Sequence, residues 1–268
     1  MPTTGPRLYA ELAHLWPHLS PPEHYQAEAE TLIELIDEAL GEPTAGRRWS
    51  VLEIGAGAGH TIAHLSGLYD CTAADLSPQM LEHCKTLNPG VPTIVGDMRD
   101  MRLGQTFDVV LLCDAIDYMT SPGDAAAALK TVAAHLRPGG VTLIAPTYTR
   151  ETFIDCESAS DRTDTDTPSP HADAPPDVTY FSFVHDPDPS DTRFEMILLY
   201  LLRDPRTRAV QVIEDRHACG LFSIEQWQEM MLEAGLEAEA LAQPADNDDE
   251  NAPDSGPGAW SVLFRATR

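Results

Sequence analysis

Glu53, Gly55, Gly57, Gly59 and Asp75 are the residues of this 268-residue chain whose types and spacing first suggest chemistry. Val51-Leu52-Glu53-Ile54 reads as a buried strand carrying one acid near its end. It breaks into Gly55-Ala56-Gly57-Ala58-Gly59, and the apolar run Thr61 to Leu65 then looks helical. A strand, a tight glycine turn and a helix start together form a nucleotide-binding corner. Glycines there let the backbone approach a ligand that a Cβ would push away. Glu53 is the sharper clue, because a carboxylate repels a pyrophosphate. The corner therefore suits a ligand carrying positive charge, and S-adenosylmethionine (SAM), with its sulfonium and amino group, has that character.

The elements around the turn must place a second acid beside it. Cys71 to Asp75 reads as the next strand. Asp75 lies roughly twenty residues past the first glycine, where a βαβ unit sets a carboxylate on ribose hydroxyls. Dehydrogenases share this spacing, so it supports the fold without choosing the cofactor. After Leu76, Ser77 and Pro78 open a helix as N-cap and first helical residue. A third strand, Val91 to Val95, leads to Gly96-Asp97-Met98-Arg99. Phe107 to Asp114 is the fourth, its apolar run suiting a parallel strand buried on both faces. His135 to Gly140 reads as a helix end and a turn before the fifth strand, Val141 to Pro146. This alternation predicts an α/β fold with a doubly wound, mostly parallel seven-stranded sheet.

Four parts are expected along the chain. Residues 1–48 form an N-terminal helical lid, whose main helix starts at a capping box of Ser20 and Glu23 and ends at Gly41. Residues 49–150 are the SAM-binding core. Residues 151–222 are a small antiparallel β cap over the active site. Within it, Thr192 to Arg203 and Ala209 to Glu214 read as two strands joined by a turn at Asp204-Pro205, and 155–177 as a mobile surface loop. Residues 223–268 complete the core with a Ser223-capped helix, ended by Gly235, and a C-terminal antiparallel hairpin around a second loose stretch, 243–258.

Composition limits the partners. The net charge of −26 repels phosphate backbones, so nucleic acid is a poor substrate guess. Lys85 and Lys130 are the only lysines, a pattern that also fits a halophilic source. No apolar stretch approaches membrane-spanning length, and no signal peptide is visible at Met1 to Ala10. The five cysteines are scattered and form no C-x-x-C pair, as reduced thiols in a cytoplasm would be. Acids abound without ligand spacing, so no metal is expected. The assembly expected is a monomer or a homodimer.

Acid-x-Gly-x-Gly-x-Gly resembles the first motif of the class I, Rossmann-like SAM-dependent methyltransferases, and Leu136-Arg137-Pro138-Gly139-Gly140 before the fifth strand is frequent in that superfamily. Tyr9-Ala10-Glu11-Leu12, Tyr25-Gln26-Ala27-Glu28-Ala29, Gly96-Asp97-Met98-Arg99 and Gly220-Leu221-Phe222 extend the resemblance over nearly the whole chain, toward small-molecule methyltransferases related to amino-sugar N-methyltransferases. Trp16-Pro17 to Tyr25, Asp114 to Met119 and Asp215 to Phe222 resemble one branch of that class still more closely. The resemblance implies SAM as cofactor, held by Glu53, Gly55, Ala56, Gly57, Asp75, Leu76 and Cys113. It places Asp97 on the adenine amino group and Met98 on the ring. It departs at Ala13 and Tyr118, which stand where amino-sugar enzymes carry a tyrosine and a histidine.

Methyl transfer from a sulfonium is a direct displacement, so positioning supplies much of the rate. A base matters when an O–H or ammonium N–H must lose a proton. Tyr118, just past the fourth strand, is the first catalytic candidate, and helix packing is its plain alternative. His217 is a candidate general base in the cap, or a structural histidine. Asp117 could orient the acceptor or hold a cation, or simply start a helix. Tyr148 faces the same end of the sheet. Trp16 and Tyr25 could close over the cofactor, where an aromatic face favours a sulfonium, or just bury the N-terminal helix. The reading that results is methyl transfer to N or O of a small-molecule acceptor. Its competitors are a non-catalytic SAM-binding sensor or partner protein, and a nicotinamide-dependent reductase.

Overall fold

A computed structural model describes residues 6–162, 177–204, 206–242, 260 and 262–268. The core strands are β1 (Ser50–Ile54), β2 (Asp70–Asp75), β3 (Thr93–Val95), β4 (Phe107–Cys113) and β5 (Leu136–Ala145), joined by parallel pairing. With β10 (Glu237–Ala242) and β11 (Val262–Thr267) they make a seven-stranded sheet in the order β10-β11-β5-β4-β1-β2-β3. The last two strands are antiparallel, as the hairpin reading expected. Val109 and Leu111 of β4 bury against one helical layer, and Val110 and Leu112 against the other. An apolar run buried on both faces is what a central parallel strand requires. Fully burying each such side chain contributes about 1.5–3 kcal/mol.

The helices are short α1 (Trp16–Leu19), α2 (Gln26–Leu40), α3 (His60–Leu65), α4 (Pro78–Leu87), α5 (Pro122–His135) and α6 (Ile224–Glu233). Ser77 caps α4 by accepting from the Met80 amide, and Ser223 forms a full capping box with Gln226 on α6. The expected capping box at Ser20 does not form. Pro21 is extended, the chain enters α2 through a 3-10 turn at Pro22–Tyr25, and the Ser20 hydroxyl instead meets the Tyr25 hydroxyl at 2.9 Å. The turn expected at His135 to Gly140 is mostly strand. Leu136 already pairs with Phe107, and the register then shifts at Phe107/Val109 before Val141 pairs with Val109.

The cap is larger than the two strands read from the sequence. It is a four-stranded antiparallel sheet of β6 (Ser158–Arg162), β7 (Asp177–His185), β8 (Arg193–Arg203) and β9 (Val210–Gly220). Part of the stretch expected to be loose is therefore a strand, because β6 satisfies its polar backbone against β7. Residues 163–176 and the second loose stretch at 243–258 lie outside the described residues. Leu8, Leu12, Leu15 and Leu19 pack on Val178, Leu198, Tyr200 and Ile213 of the inner cap face. On its other side this N-terminal segment sets Ala13 and Trp16 against Ala58 and Met80 of the core. It thus lies between the two sheets, above the C-terminal ends of β1, β2 and β4. Among the described residues no helix is long and apolar enough to cross a membrane.

Candidate active site

The glycine turn follows β1 and opens at the point where the strand order reverses. Gly55, Gly57 and Gly59 all have positive φ. A Cβ on Gly55 would collide with Ala115, whereas Gly57 has only the tip of Met80 nearby, at 3.6 Å. One glycine is thus required for packing and the other leaves room over the turn. Asp75, at the end of β2, accepts the Gly57 amide at 2.8 Å and the Ser77 amide at 2.7 Å. Burial raises its carboxyl and those amides oppose the rise. The Leu76 amide opposes the rise as well, and three bonds leave about one of a carboxylate's four lone-pair sites for a ligand. Ala56 is buried against the core, Leu76 is 66% exposed beside Asp75, and Met98 brings its methyl close to Gly55. Asp97 is engaged by the Arg99 side chain, which holds its carboxyl below the usual range.

One buried acid and two half-buried ones lie beside the turn. Glu53 is buried, and its Oε2 has no hydrogen-bond partner. Burial pushes its carboxyl up to about 8, with the charges of Asp114 and Asp75 adding to the rise and a Thr61 hydrogen bond opposing it. Asp114, just past β4, is pushed up to about 6 by burial, although Trp260 Nε1 donates to it at 2.8 Å. It has a φ of 50°, which a non-glycine residue rarely adopts. Burial and the Asp114 charge push Glu28 of α2 up to about 9. Cys113 sits among these acids, its thiol raised well above the ordinary value by burial first. An unpartnered buried carboxylate is costly unless a cation or a proton satisfies it.

Aromatic rings line the same space. His60 lies 5.1 Å from Tyr25 and 6.1 Å from Trp16 between ring centroids, and its Nδ1 has no partner. Burial drives its imidazole down to about 4, so the ring is neutral. Trp16 continues to Tyr9 at 5.8 Å, and Tyr9 meets Tyr118 edge-on at 5.7 Å.

Tyr118 and His217 come together although they are 99 residues apart in the chain. The Tyr118 hydroxyl is 2.8 Å from His217 Nδ1 and 3.0 Å from the Tyr9 hydroxyl. His217 Nε2 reaches Asp215 Oδ2 at 3.0 Å. Asp215 also accepts the Leu8 amide at 2.8 Å and the Arg7 amide at 3.1 Å. Burial would raise Asp215, but the His217 bond and these amides outweigh it and hold the carboxyl below the usual range. Burial pushes the phenols of Tyr118 and Tyr9 up, so both stay protonated at neutral pH. A Tyr118 proton can point to only one neighbour at a time. With His217 neutral and its Nε2–H on Asp215, Tyr118 donates to Nδ1. With His217 protonated, Nδ1 donates to Tyr118 and Tyr118 donates to Tyr9.

The other expected residues divide. Asp117 is buried but accepts the Thr147 amide at 3.2 and 3.3 Å, which fixes the end of β5, and its carboxyl is raised well above normal by burial. Tyr148 turns away to Glu157 at 2.9 Å and packs on Phe153 and Phe194, so it is a cap-packing residue. Trp16 and Tyr25 both lie against His60 just after the turn, Trp16 packs within the N-terminal segment, and Tyr25 meets Ser20. Tyr9, Glu28, His60, Asp114 and Asp215 received no role from sequence reasoning. Asp114 was the most readable of them, an acid ending the strand that neighbours β1. Asp155, Cys156 and His185 bring ligand-type atoms within 4.8 Å of one another on the cap surface, where bonds among themselves account for the grouping.

Comparisons with known proteins agree with this architecture. A family model described as a methyltransferase domain matches residues 51–140. A dTDP-3-amino-3,4,6-trideoxy-alpha-D-glucopyranose N,N-dimethyltransferase of Streptomyces venezuelae is 34% identical over 133 residues, 49% of this chain and 54% of that protein. The chain thus matches about half the length of this relative. DesVI of Streptomyces venezuelae superposes with a TM-score of 0.76 at 24% identity, covering 97% of this chain and 98% of the other. The SAM-bound amino pentose methyltransferase CalS10 of Micromonospora echinaspora gives 0.73 at 23%, covering 96% and 95%. At such identities the two structures speak for the fold.

Proposed function

We propose, from a chain that belongs to the class I, Rossmann-like methyltransferases and is related to their amino-sugar branch, that it moves a methyl group from SAM to a nitrogen of a small, sugar-like amine. The observation that carries this reading is the meeting of two dissimilar sets of groups over one sheet edge. Buried and half-buried acids beside a glycine turn suit a cation, and a Tyr–His–Asp chain lies beside them. The residues fit SAM. Glu53 Oε2 is buried and unpartnered, Gly57 leaves space over the turn, and Asp75 keeps about one lone pair for a ribose hydroxyl. Leu76 and Met98 would flank the adenine, Asp97 would meet its amino group, and Gly55, Ala56 and Cys113 would form the floor. Trp16 and Tyr25 would cover the sulfonium end, where aromatic faces attract a cation.

Bound SAM would supply an electrophilic methyl to the acceptor nitrogen, with S-adenosylhomocysteine as the leaving group. The nitrogen must also give up one proton. Tyr118 takes that proton at its phenol oxygen while passing its own to His217 Nδ1. Asp215 stabilises the resulting imidazolium through Nε2 and fixes the tautomer. Asp117 acts one step back, by holding the loop after β5. The N-terminal segment, 1–48, serves as the lid, because the Arg7 and Leu8 amides bind the carboxylate that orients His217. The cap, 151–222, then sets acceptor choice over the core at 49–150, which 223–268 completes. Reduced, free cysteines suit a cytoplasmic setting.

Thermal unfolding with SAM, S-adenosylhomocysteine and NADH in parallel tests the cofactor. A ligand at about a hundred times its Kd adds roughly 2.7 kcal/mol, a shift of several degrees. Stabilisation by the first two and not by NADH is the expected result. No shift with either SAM or S-adenosylhomocysteine would overturn the reading.

A further inference from the structure

We propose that the acceptor is a cationic amine on a body without phosphate, an amino sugar either free or joined to an uncharged group. This rests on the amine reading above and narrows it. It sets the chain apart from the Streptomyces venezuelae relative, whose name gives a dTDP-linked sugar. A nucleotide-linked sugar would bring a doubly charged diphosphate to the site. Proteins hold such a group with arginine or lysine, with a helix N-terminus, or with both. At the ligand end of this sheet, the described residues put both devices to other uses.

The protein has 17 lysines and arginines, and residues 1–5, 163–176, 205, 243–259 and 261 contain none of them. The arginines nearest the site along the chain are engaged or turned away. Arg7 pairs with Glu11, and Arg99 with Asp97 and Asp124. Arg150 donates to the Pro189 and Asp191 carbonyls. Arg216 bridges Glu195 and Glu214. Arg193 is exposed and alternates with buried Phe194, which lies beside Cys219 on the inner face of the cap. Both lysines are exposed, on α4 and α5. Beside the glycine turn, His60 is held neutral by burial.

The helix starts at this edge already hold acids of the chain itself. Glu53 bonds the Thr61 side chain in the first turn of α3. Asp75 takes the Ser77 amide at the entry to α4. At α5 the Ser121 hydroxyl accepts the Asp124 amide, and Asp124 lies in the first turn. The start of α6 is tied to the loop after β5, because the Arg150 amide donates to the Phe222 carbonyl at 3.0 Å. There the Glu151 carboxylate accepts the Ile224 amide at 3.2 and 3.1 Å. A second anion at any of these starts would meet the first. What remains is acid: Glu28, Asp114 and Asp117 lie with Glu53, whose Oε2 has no partner, and burial raises each carboxyl. An ammonium nearby favours their ionised forms, and a diphosphate opposes them. The charge of −26 acts in the same sense at long range, drawing a cation in and repelling an anion.

Calorimetric titration of the full chain tests this, with S-adenosylhomocysteine saturating the cofactor site so that no nucleotide enters it. The probes are dTDP and the methyl glycosides of a panel of amino sugars, at low and high salt. At least one amine is expected to bind, and to bind more weakly as salt rises, because screening removes attraction. dTDP is expected to bind at least about a hundredfold more weakly than that amine, the scale of an unfavourable like-charge contact. Methyl transfer from SAM to the same sugars, free and dTDP-linked, should show a similar preference in kcat/KM for the free forms. dTDP binding as tightly as the amines, no binding of any amine, or equal use of the dTDP-linked sugars would overturn the proposal. Amine binding without dTDP binding, and with no methyl transfer to any amine, would uphold this charge preference and overturn the methylation reading instead.

Discussion

The glycine corner and the cap network lie side by side but are built on opposite electrostatic plans. At the corner, Glu53 is buried with an unpartnered oxygen, and Glu28 and Asp114 share its surroundings. Burial raises all three carboxyls above the usual range, so a cation beside them would be favoured. In the cap, every polar group of the Tyr9–Tyr118–His217–Asp215 chain has a partner. That network needs nothing to be satisfied; it needs only to shift a proton. In the proposed function, the acids would serve binding and the satisfied chain would serve turnover. A site that joins the two can therefore lose either function without losing the other.

Breaking the cap should have the largest effect. Tyr118→Phe and His217→Gln are each expected to lower kcat by about 10²–10⁴, the range for removing acid–base assistance. SAM affinity should stay within about twofold, since neither group touches the corner acids. Steady-state kinetics beside calorimetric titration would check this. A parallel loss of SAM affinity would erase the division between the two regions.

At the corner, Asp75→Ala should weaken SAM binding by about 10–100-fold, the usual value of hydrogen bonds to a charged group. Asp75 also ties Gly57 to Ser77, so a melting curve must accompany the titration. Unchanged affinity would remove Asp75 from the cofactor site.

The pH dependence sharpens the contrast further. Glu53 and Asp114 have folded-state values raised above the ordinary carboxylate range, to about 8 and about 6. Their contribution to stability is complete below that range and is lost as pH rises through those values. Without ligand, Tm should therefore fall between about pH 5 and about pH 9. SAM binding should displace protons from these acids and tighten over the same window. Glu53→Gln should flatten both trends and cost about tenfold in affinity at the alkaline end. Affinity independent of pH in the wild type would contradict the corner's charge plan.

Asp215→Asn should have the smallest effect, a roughly tenfold loss of kcat together with a shift in the pH–rate profile. The Arg7 and Leu8 amides bond to different oxygens of Asp215, so only one of them would keep its acceptor and a melting curve must accompany the kinetics. An unshifted profile with an equal fall in stability would mean that Asp215 only holds the fold.

The corner was legible in the sequence because its parts are local. Glu53, the glycines and Asp75 come from one βαβ unit, and a single strand–turn–helix grammar places them all. The cap network was only partly legible. Tyr118 and His217 could be named by type, but Arg7 and Asp215 touch across 208 residues of chain, and no local pattern encodes that. Alternation on β9 did hold a readable clue, since Asp215, His217 and Cys219 must share one face. At Tyr148 local sequence grammar stops short. It stands at the right end of the sheet, yet Glu157 and two phenylalanine rings claim it. Ser20 fails for a similar reason, because extended Pro21 delays the helix and leaves its hydroxyl to Tyr25.

The central claim is methyl transfer to nitrogen. The measurement that tests it most directly is incubation with methyl-labelled SAM and matched acceptors, an amino sugar carried on a nucleotide, the free amino sugar, and their hydroxyl counterparts. Label is expected on an amine in amounts equal to the S-adenosylhomocysteine formed, with none on the hydroxyl compounds, and Tyr118→Phe should abolish nearly all of it. Tight SAM binding with no label on any amine, or label on the hydroxyl compounds alone, would contradict it.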